Sequence, residues 1–263
     1  MTNENNITEF KYSKNPKISI IIPIYNSELF LLNLHYNIQK QSLKDIEIIY
    51  IDDCSIDNST QLIQNLQKKD KRIILLKNKK NKGKFYSRNK AAIFCRGEYI
   101  QFIEPNDLIV FNILEKAYKT AKLRNVDVVQ YQIVLQYKNM KLDLFDEITK
   151  NGIIYQPELS DQMYYGKGKL EQNNFYIFNK IIKSEIFLKS LIFIGDDYLK
   201  KNIYINEEHI QLFSILRVAK SFLFIKNIGY IKMNYYDNKE SQSSIKKSSE
   251  FANKVFHDNF FRT

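Results

Sequence analysis

The chain has 263 residues, 44% of them hydrophobic, 26% charged and 14% aromatic. This is enough for one large domain with a real core, and it excludes a disordered polymer. The formal net charge of +11, from 40 Lys plus Arg against 29 Asp plus Glu, suits anionic ligands. The lysines are scattered, however, and neither a basic tail nor an RNA-binding signature accompanies them, so nucleic acid is not an expected partner.

Residues 1–16 read as a polar N-terminal extension. Glu4 and Glu9 lie within it, and it lacks the apolar centre of a signal peptide. Residues 17–23 form an Ile-rich run without polar alternation, as expected of a strand buried on both faces and ended by Pro23. Ser27 is the candidate cap of a helix over 28–41, with Leu31, Leu34 and Ile38 at helical spacing. A second strand over 46–51 stops at Asp52 and Asp53. A Ser/Asp/Asn turn follows, then a helix carrying Leu62, Ile63 and Leu66. Residues 72–76 are the third strand, 78–84 a basic loop eased by Gly83, and 85–95 a helix broken by Gly97. The fourth strand, 99–103, runs into Glu104, Pro105, Asn106 and Asp107.

A helix over 109–124 and a strand over 126–135 come next. An irregular stretch, 138–169, is expected to lie over the cleft, where Tyr155, Tyr164 and Tyr165 are candidates for stacking on a bound ligand. Helices are predicted over 179–191 and 206–219. Asn206 is the cap of the second, and Glu207 and Glu208 stand in its first turn, where negative charge is favoured. Strands over 222–225 and 228–236 complete a single domain, 17–236. Its first half, 17–130, is expected to hold the ligand by position, and its second, 131–236, to complete the sheet. Residues 237–263 form a tail that turns amphipathic around Phe251, Val255 and Phe256.

Alternating strands and helices over the first ~90 residues specify a mostly parallel sheet flanked by helices, a Rossmann-like α/β fold. Such sheets bind ligands beyond the carboxyl ends of their strands, where Asn26, Asp52, Asp53, Glu104 and Asp107 stand. Neither a dinucleotide-binding glycine fingerprint nor a phosphate loop is present. Cys54 and Cys95 make no CxxC pair, and His35 and His257 lack companions at zinc-ligand spacing.

Several motifs lie in order along the chain. They are Pro23 to Asn26, Gln41-Ser42, Glu47 to Ser55, Asp57 to Ser59, Asn81 to Gly83, Arg88-Asn89 and Gly97 to Phe102. Together they closely resemble the family 2 glycosyltransferases. The resemblance is dense over residues 17–130 and thinner to about 236, where Asn179-Lys180, Glu207-Glu208 and Gly229-Tyr230 continue it. It implies a GT-A type fold, a nucleotide-sugar donor (usually a UDP-sugar), a glycan or glycoconjugate acceptor, inversion at the anomeric carbon, and Mn²⁺ or Mg²⁺. By position it implies that Pro23, Tyr25, Asn26 and Glu28 line the nucleoside pocket. Asp53 would read the base with Asp52 beside it, and Lys84, Arg88 and Asn89 would border the diphosphate and sugar. Glu104, Asn106 and Asp107 occupy the place of the family's metal-binding Asp-x-Asp-Asp, and Glu208, with Glu207 second, that of the catalytic base.

The departure at the metal motif is chemical. Asn106 brings an amide oxygen but no charge where a carboxylate is expected, and Glu104 is a methylene longer than Asp. Three readings stay open on sequence. One is an altered but working metal site. Another is a metal-independent site using Lys80, Lys82, Lys84 and Arg88. The last is a relative that binds nucleotide-sugar or glycan without turning it over. The expected compartment is the cytoplasm; the stretch 251–261 is expected to be a docked final helix, the alternative being peripheral contact at the cytoplasmic face of a membrane.

Overall fold

The computed structural model describes residues 15–136, 142–144, 152–156, 158–159, 176–199, 203 and 207–233. Its strands are β1 (Ile18–Ile24), β2 (Ile46–Asp52), β3 (Ile73–Lys77), β4 (Tyr99–Phe102), β5 (Leu108–Ile109), β6 (Val128–Gln136), β7 (Leu142–Leu144), β8 (Gly152–Tyr155), β9 (Lys180–Lys183) and β10 (Ser221–Met233). Its helices are α1 (Glu28–Lys40), α2 (Ser59–Lys69), α3 (Gly83–Ala92), α4 (Ile113–Arg124), α5 (Ser184–Ile194), α6 (Asp196–Leu199) and α7 (Glu207–Val218). The strands form one sheet in the order β3-β2-β1-β4-β9-β6-β10-β5, with β7 on β6 and β8 on β10. β1, β2, β3 and β4 pair in parallel, whereas β9 runs antiparallel between β4 and β6.

The unbroken Ile run of β1 follows from helices on both faces of the sheet. Every residue of β1 and β2 is buried, and the period of 2 sends alternate side chains into two separate cores. Ile20, Ile22, Ile48 and Tyr50 pack with Leu31, Leu34 and Ile38 of α1, Ile63 of α2 and Ala117 of α4. Ile21, Ile49, Ile51 and Ile100 pack with Phe85 of α3, Phe187 of α5 and Leu212 and Ile215 of α7.

Pro23 does not end β1, which runs to Ile24. The Ile24 carbonyl accepts the Asp53 N–H on the β2 side, so Pro23 faces the β4 side. There the last pairing is Ile21 with Phe102, and the missing N–H leaves no ladder bond unmade.

Other local expectations change in the fold. Ser27 stands at the N-cap of α1 but makes no side-chain cap bond. Its hydroxyl donates to the Tyr25 carbonyl, and the Glu28 N–H donates instead to Asp57 Oδ2. The helix expected from residue 109 starts at Ile113, because Leu108 and Ile109 form β5 against β10. The helix expected over 179–191 divides into β9 and α5, since Lys180–Lys183 fills the gap between β4 and β6. The two strands expected over 222–236 are one strand, β10, irregular between Ile225 and Tyr230. Asn206, Tyr164, Tyr165 and the tail 237–263 lie outside the described residues. Tyr155 is exposed on β8. Among the described residues no helix is long and apolar enough to cross a membrane.

Candidate functional site

A cavity of about 710 Å³ opens beyond the carboxyl ends of the parallel strands. Pro23, Tyr25 and Asn26 line it from the end of β1, Asp53 from β2, Gly83 and Lys84 from the start of α3, and Asn106 from the end of β4. Glu207 closes one side from the start of α7, and Lys232 enters from the end of β10. The cavity arises because each strand ends in a polar turn while its neighbours continue as helices above it.

Two loops at the mouth are laced by side-chain to backbone bonds. Asn26, at φ 48°, accepts the Ile56 N–H on its side-chain oxygen and donates its own N–H to the Ser55 hydroxyl. Glu28 accepts from the Asn58 N–H and side-chain amide. Glu28 therefore ties the β1–α1 and β2–α2 turns together and does not line the cavity. Asp52 is likewise a turn-holder: it accepts the Ser55 N–H and the Thr60 hydroxyl. Asp53 does reach the cavity. Its Oδ1 accepts from Asn78 Nδ2 at 2.7 Å and the Lys82 N–H at 2.9 Å, and its Oδ2 accepts the Gly83 N–H at 2.7 Å. It thus acts on the first turn of α3 as a remote cap, satisfying donors that a helix start leaves orphaned. Gly83 adopts φ +83° there, a left-handed conformation that favours glycine.

Lys84 and Arg88 are four residues apart and so share one face of α3. That face meets Glu104. Lys84 Nζ lies 2.9 and 2.8 Å from the two Glu104 oxygens, and Arg88 Nη2 lies 2.9 Å from Oε1. The buried Arg88 guanidinium also stands 3.5 Å from both Glu207 and Glu208. Lys232 is 4.0 Å from Glu104 and 3.3 Å from Asp107. Burial alone would raise the Glu104 carboxyl, but the pull of Lys84, Lys232 and Arg88 prevails and holds it at about 2. At Glu208 burial prevails over Arg88 and raises the carboxyl above its ordinary value. Glu208 Oε2 is buried with no hydrogen bond among the described residues, and Glu207, not Glu208, lines the cavity wall. Asn89 is buried under α3, also without a hydrogen bond from its side chain among the described residues, and lines none of the cavity.

The three side chains expected to hold a divalent cation do not fit one as arranged. Asp107 is fully buried. Its Oδ2 accepts from the Tyr230 hydroxyl at 2.8 Å and its Oδ1 from the Met233 N–H at 3.0 Å. Asp107 is thus a strut between the β4 end and β10, not a ligand facing the cavity. Glu104 already holds Lys84 and Arg88, and Asn106 adds no charge. Among the described residues no group of three or more His, Cys, Asp or Glu side chains gathers as a cation site.

Lys232, Tyr230 and Phe30 were not among the sequence candidates. The signal for Lys232 was a cation set between the apolar Ile231 and Met233. Phe30, on α1, forms part of the cavity wall.

With this geometry in view, comparison with known proteins is decisive for the family. The family model described as "Glycosyl transferase family 2" matches residues 19–194. The chain belongs to that family. The glycosyltransferase GlyG of Streptococcus pneumoniae is 32% identical over 112 residues, covering 43% of this chain and 37% of GlyG. An uncharacterized glycosyltransferase of Haemophilus influenzae is 41% identical over 101 residues, or 38% of this chain and 40% of that protein. The similarity to these relatives thus spans well under half of their length. The crystal structure of S. aureus TarS 1-349 in complex with UDP-GlcNAc superposes with a TM-score of 0.65 at 16% identity, covering 93% of this chain and 75% of that one. A further crystal structure of S. aureus TarS 1-349 gives 0.63 at 18% identity, covering 93% and 74%. At such identity the likeness carries the fold, which is the α/β GT-A type expected of the family.

Proposed function

We propose that this chain is an inverting glycosyltransferase that moves a sugar from a nucleotide-sugar, a UDP-sugar in the first instance, to a hydroxyl group of a glycan acceptor. The observation that carries this reading is the cavity at the strand ends. It brings Asp53, Lys84 and Lys232 onto one wall system with the Glu207–Glu208 pair beside it.

In this reading the nucleoside lies against Pro23, Tyr25, Asn26 and Asp53. The Asp53 carboxylate, already fixed by three donors, presents its remaining lone pair, on Oδ2, to a base N–H, and such a polar contact gives specificity. The acceptor oxygen attacks the anomeric carbon from the face opposite the diphosphate. Glu208 takes the hydroxyl proton as general base, with Glu207 the second candidate. The bond from the anomeric carbon to the diphosphate oxygen breaks, its electron pair leaves on the diphosphate, and the configuration inverts. A carboxyl raised by burial is a stronger base than an ordinary surface carboxylate, which favours Glu208. The likeness of the fold to that of a protein crystallised with UDP-GlcNAc supports the choice of donor class.

The reading is tested by incubation with a panel of nucleotide-sugars and glycan acceptors while nucleotide release is followed. Glu208→Gln is expected to abolish transfer and spare donor binding, and wild-type turnover in that variant would move the base to Glu207. A second reading, binding without catalysis, is favoured by Asn106 and by the cations already seated on Glu104. Nucleotide binding with no release from any donor would establish it.

A further inference from the structure

We infer that Lys232, together with Lys84, supplies the positive charge that a departing nucleoside diphosphate meets in this chain, in the place of a divalent cation. The inference rests on the reading of the cavity as a nucleotide-sugar site. Lys84 and Lys232 are the two lysines on the cavity wall, and they converge from different elements, the first turn of α3 and the end of β10.

What distinguishes Lys232 is how it is held. Its ammonium sits 3.3 Å from Asp107 Oδ2, 4.0 Å from Glu104 Oε2 and 4.6 Å from the centroid of the Phe178 ring. Asp107 is itself immobilised by the Tyr230 hydroxyl and the Met233 N–H. Lys232 is therefore a cation braced by a buried carboxylate, a second carboxylate and an aromatic face while it still borders open space. A fixed charge of this kind, oriented before the reaction, is effective at an oxyanion that develops as a bond breaks. An ammonium has three donors, and a phosphate oxygen accepts readily from one of them. Glu104 and Asp107, which the family pattern assigns to a metal, are here the seats of amino groups. Asn106 lacks the charge that would draw a metal back. Lys84 completes the pair from its seat on Glu104, with a side chain 51% exposed against 27% for Lys232.

The test is calorimetric titration of the whole chain with UDP, and in parallel with GDP and CDP, in EDTA and again in Mn²⁺. Affinity for the bound nucleotide is expected to agree within about twofold between the two buffers. Lys232→Met is expected to weaken binding in EDTA by about tenfold or more, Lys232→Arg to retain most of it, and Lys84→Met to weaken it less than Lys232→Met. Wild-type binding that needs Mn²⁺ and vanishes in EDTA overturns the inference and leaves the nucleotide site standing. So does a folded Lys232→Met variant that binds as tightly as wild type. Failure of all three nucleotides in both buffers overturns the reading of the cavity and the inference with it. Lys232→Met removes the ammonium seated on buried Asp107 and is a folding risk. The wild-type comparison and the partly exposed Lys84→Met carry the test without it.

Discussion

Replacing Asp53 by Ala separates the role seen in the structure, a clamp on α3, from the proposed one, a contact for the nucleotide. The substitution removes an acceptor from Asn78 Nδ2, the Lys82 N–H and the Gly83 N–H. The Lys82 N–H is only part-buried beside the cavity, so water replaces the lost partner there at little cost. The other two donors are buried. Asn78 retains its bond to Ser87, whereas the Gly83 N–H at the helix start has no substitute among the described residues. Orphaned buried donors cost about 1–3 kcal/mol each, and two of them, one partly compensated, give a loss of about 3 kcal/mol. For a domain of this size that is a fall in Tm of roughly 6–12 °C. Urea denaturation gives the first quantity and a thermal scan the second. Asp53→Asn keeps the shape but turns an amide donor towards one of these N–H groups, so its loss should be of similar size. An Ala variant within 0.5 kcal/mol of wild type would refute the capping account. An Ala variant that loses stability but keeps its UDP affinity makes Asp53 a clamp alone.

Three further outcomes follow from the same geometry. Glu104 is held at about 2 against an ordinary 4.5, so the stability it contributes is present above pH 4.5 and is lost as pH falls towards 2. The stability gap between wild type and Glu104→Gln should therefore shrink by about 3 kcal/mol over that window, measured by denaturation at stepped pH; a gap independent of pH removes the ion-pair account. Burial raises the Glu208 carboxyl above 4.5, so the acidic limb of kcat/KM, where the base must lose its proton, should fall above that pH; a limb at or below it points to another base. A Cβ added at Gly229 would lie 2.3 Å from Ile113 Cγ1 and 2.3 Å from Tyr131 Cδ2. Gly229→Ala should thus cost about 2–3 kcal/mol through overpacking of buried side chains, and an unchanged urea midpoint would show that the site yields freely.

Much of the fold over residues 17–130 was legible in the residues alone. The Ile runs of β1 and β2 carry no polar alternation because both faces of the sheet are covered, and this signal is local and strong. Turn residues after each strand located Asp53, Asn26 and Glu104 at the sheet's carboxyl edge for the same reason. Where sequence reading failed, the cause was competition between local preference and sheet pairing. Residues 179–183 have a composition that a helix accepts, and only the open slot between β4 and β6 makes Lys180–Lys183 a strand.

The division between sequence and tertiary structure is sharpest among the acids. Their identity and order along the chain determined that carboxylates would gather at the strand ends. Which of them face the cavity was settled by partners far away in sequence. Asp52 turns to Ser55 in the turn that follows it and to Thr60 at the start of α2, but Asp53 meets a loop about 30 residues on, and Asp107 is taken up by Tyr230 and Met233 of β10. The arrival of Lys232 beside Glu104 depends on the register of β10 against β6 and β5. Register is a property of the assembled sheet, in which one residue of slip would send that ammonium to the opposite face.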